Sequence, residues 1–272
     1  VNFLINFLLN NWSFNFSFFI FILGLICGSF LNCVIYRLET GESFLKGRSY
    51  CPHCKHVLSW KDLIPIFSFL ILKGKCRYCG KKISFQYPLV EFFTGILFVL
   101  FLIYGGRTFI DLIFDWILAC FLIIIFVYDL KHYLIPDRVI YSAIAPTFLY
   151  QFFKIWNFGQ WDLFGIWNLV VGILPSLFFL SIILISHETW MGFGDFKLSI
   201  LMGLILGWPK ILVSLFFSFF SGAIIGLILI FLKRKTMKSQ IPFAPFLVSG
   251  TFFAMFFGEK IINWYLGLIL LK

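Results

Sequence analysis

Charge is what this sequence has least of. Asp, Glu, Lys and Arg make up 12% of its 272 residues, about half the ~25% of an ordinary soluble domain. Apolar residues make up 61%, with a mean hydropathy of +0.98, and that balance excludes a water-soluble globule. Lys and Arg are missing altogether from Val1 to Tyr36. No basic n-region of a removable secretory signal therefore precedes the first apolar stretch, which reads as a retained helix. Internal repeats and low-complexity tracts are also missing. Gly24 and Gly28 lie in a helical run rather than between a strand and a helix, so they form no nucleotide-type loop.

What is present is a succession of apolar runs bounded by charge, Gly or Pro. They fall at about 12–36, 88–104, 112–128, 139–153, 165–185, 196–208, 211–232 and 244–258 or beyond. The expected fold is an all-α integral membrane bundle of about eight transmembrane helices. It comprises a first helix in 1–36, a small polar insertion in 37–87 and a membrane domain in 88–272. With the N-terminus outside, seventeen basic residues fall in inside loops and five outside, the asymmetry expected of cytoplasmic loops. The formal charge of +10 is thus an orientation signal. A lipid bilayer, and not nucleic acid, is the expected partner.

The insertion carries Cys51-Pro52-His53-Cys54 and Cys76-Arg77-Tyr78-Cys79, two C-x-x-C pairs separated by 21 residues. Such pairs bring four thiolates onto one tetrahedral ion, so Cys51, Cys54, Cys76 and Cys79 are the expected ligands of a structural Zn2+. A closed four-thiolate site leaves no position for substrate. Disulfides and redox dithiols are the alternatives, and a cytoplasmic face disfavours stable disulfides. His53 and His56 have ligand chemistry too, but loop histidines commonly face solvent. Cys27, Cys33 and Cys120 lie in apolar runs and read as packing residues.

Two acids differ in setting from the rest. Asp129 ends the run Phe121–Tyr128, and Asp195 stands in Met191-Gly192-Phe193-Gly194-Asp195-Phe196-Lys197 at the edge of another. Ionisable groups at the ends of spans are costly unless paired, wet or functional. Two converging carboxyls share a proton, so one takes a proton from water while the other polarises a carbonyl, which is aspartic peptidase chemistry. A Gly-x-Gly-Asp string alone also fits an interhelical turn with Asp195 as N-cap of the next helix. Asp137, after Pro136, fits an N-cap equally well.

In order along the chain stand Gly28-Ser29-Phe30-Leu31-Asn32, the two cysteine pairs around Ser59-Trp60-Lys61-Asp62-Leu63-Ile64-Pro65, and Tyr87-Pro88-Leu89-Val90-Glu91. They are followed by Asp129 with Ile135-Pro136-Asp137, Met191 to Leu198, and Ile241-Pro242-Phe243-Ala244-Pro245-Phe246-Leu247. This ordered set resembles the type IV prepilin peptidases, aspartic peptidases of the Gly-x-Gly-Asp class in the bacterial inner membrane. The resemblance implies that Asp129 and Asp195 are the catalytic pair at the cytoplasmic face. It also implies that the substrate is a prepilin or pseudopilin with a short basic leader, cut after a Gly. Many such enzymes also methylate the new N-terminus with S-adenosylmethionine, and Glu91 occupies a position associated with that activity; a polar residue at a span entrance is the plain alternative. Gln86 and Ala244 depart from the usual Arg and Gly. Two other readings compete: a membrane thiol-redox carrier using the cysteine pairs, and an intramembrane protease with non-pilin substrates.

Overall fold

The computed structural model describes residues 14–43, 47–105, 108–157, 163–189, 191–233 and 239–270. The start of the first predicted span and the basic residues Lys46, Arg107, Arg234, Lys235, Lys238 and Lys272 lie outside them. The described residues are helical, without strands; the only extended pairings among them are the isolated bridges Tyr50 to Val57 and Lys75 to Lys82.

The helices are α1 (Phe14–Thr40), the one-turn α2 (Phe67–Ile71), α3 (Gln86–Tyr104), α4 (Phe109–His132), α5 (Asp137–Asn157), α6 (Leu163–Ser186), α7 (Phe193–Leu206), α8 (Lys210–Phe231) and α9 (Ala244–Leu270). Apart from α2, each overlays one of the apolar runs. Five of them, α1, α3, α4, α8 and α9, are long and apolar enough to cross a membrane. The 14-residue α7 extends only about 21 Å, less than the ~30 Å of a hydrocarbon core.

Two compact units divide the chain at 124/125. In the first, α1 packs along α3. A Cβ on Gly28 would stand 2.7 Å from the Glu91 Cα, so only glycine allows this approach, the small-residue contact common between membrane helices. Ile20, Phe98 and Leu102 form the core of the unit. Trp116 of α4 stacks on Phe98 with ring centroids 5.0 Å apart and donates its indole N–H to the Phe98 carbonyl. A reciprocal pair of bonds between Thr108 and Asp111 starts α4: each side chain takes the other residue's backbone N–H at 3.1 Å, satisfying donors that a helix start leaves open.

In the second unit α7 is the inner helix, packed on α5, α6, α8 and α9. Its Leu198, Leu201 and Met202 are fully buried, as expected of a helix apolar on all sides. Gln151 of α5 donates to the Leu204 carbonyl at 2.8 Å, satisfying one of the acceptors left open at the end of α7. Pro245 lies in the first turn of α9, where a missing N–H costs nothing.

Candidate functional site

Asp129 sits one turn before the end of α4 and is buried. Its carboxylate accepts the backbone N–H of Ala244, the first residue of α9. Its Oδ2 is buried with no hydrogen-bond partner. A buried carboxylate oxygen without a donor is costly, and such an atom marks either strain or a place where water or substrate belongs. The sequence pattern pointed to Asp129 but not to its donor. Because a main-chain N–H does the holding, the methyl group of Ala244 leaves the donor in place.

Asp195 lies in the first turn of α7. The N-cap is Gly192, in extended conformation, which corrects the reading of Asp195 as the cap itself. A carboxylate in the first turn faces the positive end of the helix dipole. Gly194 has a steric reason to be glycine: a Cβ there would come within 3.0 Å of the Ile135 Cβ. The start of α7 is thereby laid against the turn between α4 and α5. Asp129 and Asp195 stand close enough for the charge of the first to act on the second. The structure thus brings together the two acids that the sequence analysis singled out. Asp137 is not a cap either; it opens α5 and accepts from Lys197 Nζ at 2.6 Å. Lys197 also lies over the Tyr141 ring, 5.0 Å from its centroid.

In the first unit the four cysteines converge. Their sulfurs all lie within 4.8 Å of one another, and Cys51 Sγ is 4.0 Å from Cys79 Sγ. A tetrahedral zinc with bonds of about 2.3 Å separates its sulfurs by about 3.8 Å, so the donor set fits one metal ion such as zinc. The knuckles are built alike. The N–H groups of Lys55 and Gly80 return to the Cys51 and Cys76 carbonyls, both at 2.9 Å, with both residues left-handed, φ 58° and 69°. His53 and His56 are not in the cluster; the His56 ring lies on Tyr78, 3.7 Å between centroids. Asp62, which sequence reasoning passed over, ties the two halves together. Its carboxylate accepts from the Ser59 hydroxyl at 2.7 Å, from Arg77 Nε at 2.7 Å and from the Tyr78 hydroxyl at 3.1 Å. Burial pushes this carboxyl up, but those donors outweigh it and hold it below its ordinary 3.8.

Glu91 is buried in α3. Its Oε2 accepts the Ile66 N–H at 2.7 Å, and the Ser29 hydroxyl bonds to the same carboxylate. Ile66 has φ 59°, an outlier for a β-branched residue, and Glu91 holds it there. At the seam of α1 and the insertion, Asn32 donates to the Tyr87 carbonyl at 3.0 Å. The buried Arg37 donates to the Ser43 and Arg48 carbonyls.

A polytopic helical membrane protein with two neighbouring acids in one unit and four converging thiols that could hold a metal in the other is a narrow class. Residues 22–104 match the family model of the bacterial peptidase A24 N-terminal domain, and residues 116–227 that of the type IV leader peptidase family. Among curated proteins, a Bacillus subtilis prepilin leader peptidase/N-methyltransferase is 34% identical over 92% of this chain and 98% of its own. Proteins of the same name from Aeromonas salmonicida and Legionella pneumophila are 33% and 32% identical, over 92% and 97% of this chain and 94% and 99% of their own. The chain belongs to the type IV leader peptidase family and is a peptidase. No solved structure matches it.

Proposed function

We propose that this protein removes the basic leader of type IV prepilins or pseudopilins, cutting after Gly at the cytoplasmic face of the bacterial inner membrane, and then methylates the new N-terminus. Asp129 and Asp195 are the catalytic pair. The observation that carries this reading is the unpartnered, buried Oδ2 of Asp129, on an acid near enough to Asp195 for its charge to act there. One proton shared by the pair leaves one carboxylate to take a proton from water and one acid to donate to the scissile carbonyl oxygen. The water oxygen bonds to the carbonyl carbon to give a diol. The C–N bond then breaks as the proton taken from water passes to the departing amine and one diol hydroxyl returns its proton to the acid that had donated it. The basic asymmetry of the loops supports an N-terminus outside, and the domain plan is a first helix in 1–36, the zinc insertion in 37–87 and the peptidase in 88–272.

Cys51, Cys54, Cys76 and Cys79 would hold a structural zinc that cross-links the insertion. Convergence on a single point favours metal over two separate redox dithiols. S-adenosylmethionine is the methyl donor of the second activity. Glu91, whose carboxylate holds the Ile66 N–H, is the residue proposed to serve that activity. The test is product mass from a detergent-purified preparation given a precursor with basic leader, Gly and apolar helix, with and without S-adenosylmethionine. Asp129→Asn and Asp195→Asn are each expected to abolish cleavage in folded, zinc-loaded protein, with Asp137→Asn retaining appreciable activity. Cleavage by either of the first two overturns the pair.

A further inference from the structure

The insertion carries an apolar face that its own small core leaves open. Phe67, Leu70 and Ile71 are 61%, 63% and 73% exposed. Their spacing puts them on one side of α2, and no residue of that helix is buried. In a domain bathed in water on all sides, such a cluster is a liability.

Two contacts fix where the cluster lies. The Ile66 N–H, at the start of α2, reaches Glu91 Oε2, five residues into α3 and so about 7 Å along that helix. Phe69 packs against Phe85, 5.3 Å between ring centroids, at the residue before α3 begins. Phe69 lies on the side of α2 away from Phe67, Leu70 and Ile71, so that side meets α3 and leaves the trio outward. Phe85 and Leu89 are themselves exposed at the start of a helix long and apolar enough to cross a membrane. α2 therefore stands beside the first turns of a span. The surrounding chain is basic: residues 37–87 hold ten Lys and Arg against Glu39, Glu42 and Asp62, with Lys61 before α2 and Lys73 after it.

We propose that α2 and Phe85 form an interfacial anchor that seats Phe67, Leu70 and Ile71 in the boundary between headgroups and acyl chains of an anionic bilayer, with the flanking lysines on the phosphates. An apolar face edged by Lys is the pattern of helices that lie in the membrane surface, and each Lys or Arg near an anionic leaflet adds to the attraction. The anchor fixes the insertion against the membrane at the strained Ile66. The choice of the anionic leaflet rests on the cytoplasmic placement proposed above. Nanodiscs expose both leaflets, so the test below reads the contact whichever side carries the domain and whether or not the protein cleaves prepilin.

The test uses the full zinc-loaded chain in nanodiscs of phosphatidylcholine, with or without phosphatidylglycerol, doped with a phospholipid bearing a diazirine on its acyl chain. After illumination and trypsin digestion, the peptide Asp62–Lys73 is expected to carry several-fold more lipid adduct than the knuckle peptide Ser49–Lys55, and more with phosphatidylglycerol than without. Phe67→Glu combined with Leu70→Glu is expected to cut the adduct several-fold at unchanged zinc content. Equal labelling of the two peptides overturns the anchor. Equal labelling with and without phosphatidylglycerol overturns its anionic preference. Cross-linking of Asp62–Lys73 to an added precursor, with no lipid adduct in its absence, assigns the face to substrate instead.

Discussion

Single side chains hold each site in place through contacts that leave little slack. Asp62 joins the turn after the first knuckle to Arg77 and Tyr78, between the cysteines of the second. Partners of this kind tune a metal site nearly as strongly as its ligands do. Asp62→Asn is expected to weaken zinc binding about 10-fold or more, measured by competition with a chelator. Because the folded Asp62 lies below its ordinary 3.8, its contribution to stability is complete above that value and is lost only as pH falls through the lowered one. The stability difference between wild type and Asp62→Asn should therefore stay constant from about pH 7 to about pH 5, and a difference already collapsing in that range contradicts the assignment. Gly194 is a residue of the same kind. Gly194→Ala must displace Ile135, costing about 1–3 kcal/mol with a several-fold fall in cleavage. Ile135→Val in the same chain should return part of both, as expected of sites in contact.

Among the helices, the proposed catalytic pair depends on where a helix starts rather than on what it crosses. α7 begins at Phe193, earlier than the apolar run that predicts it, because Gly194 and Asp195 fit a first turn once Gly192 caps it. That start puts Asp195 in the first turn of α7, within reach of the charge of Asp129 in the last turn of α4. α3 joins α1 at Gly28 and the insertion at Ile66, both through Glu91. Glu91→Ala removes the acceptor of the Ile66 N–H, a loss of about 1–3 kcal/mol, and should speed amide exchange across residues 63–73. Glu91→Gln keeps a carbonyl acceptor and should leave exchange near wild type. Methyl transfer lost in Glu91→Gln with that protection intact would assign the carboxylate itself to the methylation chemistry, whereas loss in Glu91→Ala alone would assign the loop.

For the whole molecule, the two compact units differ in what stabilises them. The second rests on helix packing around α7, the first on α1 and α3 together with an insertion whose described residues between those two helices are helical at α2 and at a 3₁₀ turn, Trp60–Asp62. An insertion with so little core relies on its cross-link. Chelation is expected to release about one zinc per chain, expose four reactive thiols and open residues 47–85 to protease, with little change in the helical circular dichroism. A large loss of helix would show instead that the bundle itself depends on the metal.

The amino-acid sequence by itself determined the membrane helices, because an apolar run long enough to cross a bilayer has no other stable place. It marked out the four cysteines that converge too, since the C-x-x-C spacing is local geometry written in the chain. Asp129 and Asp195 stood out as acids at the ends of apolar runs, where an unexplained charge is conspicuous. Tertiary structure alone decided what those residues touch. The Ala244 N–H on Asp129 is a main-chain donor, and no side chain at 244 advertises it. Lys197 and Asp137 meet across sixty residues, and Glu91 reaches the Ile66 amide across 25. Such pairings depend on how helices pack, which periodicity and composition do not encode. The same holds for α2: it falls within the polar insertion 37–87, and the contacts of Ile66 with Glu91 and of Phe69 with Phe85 set it beside the start of α3.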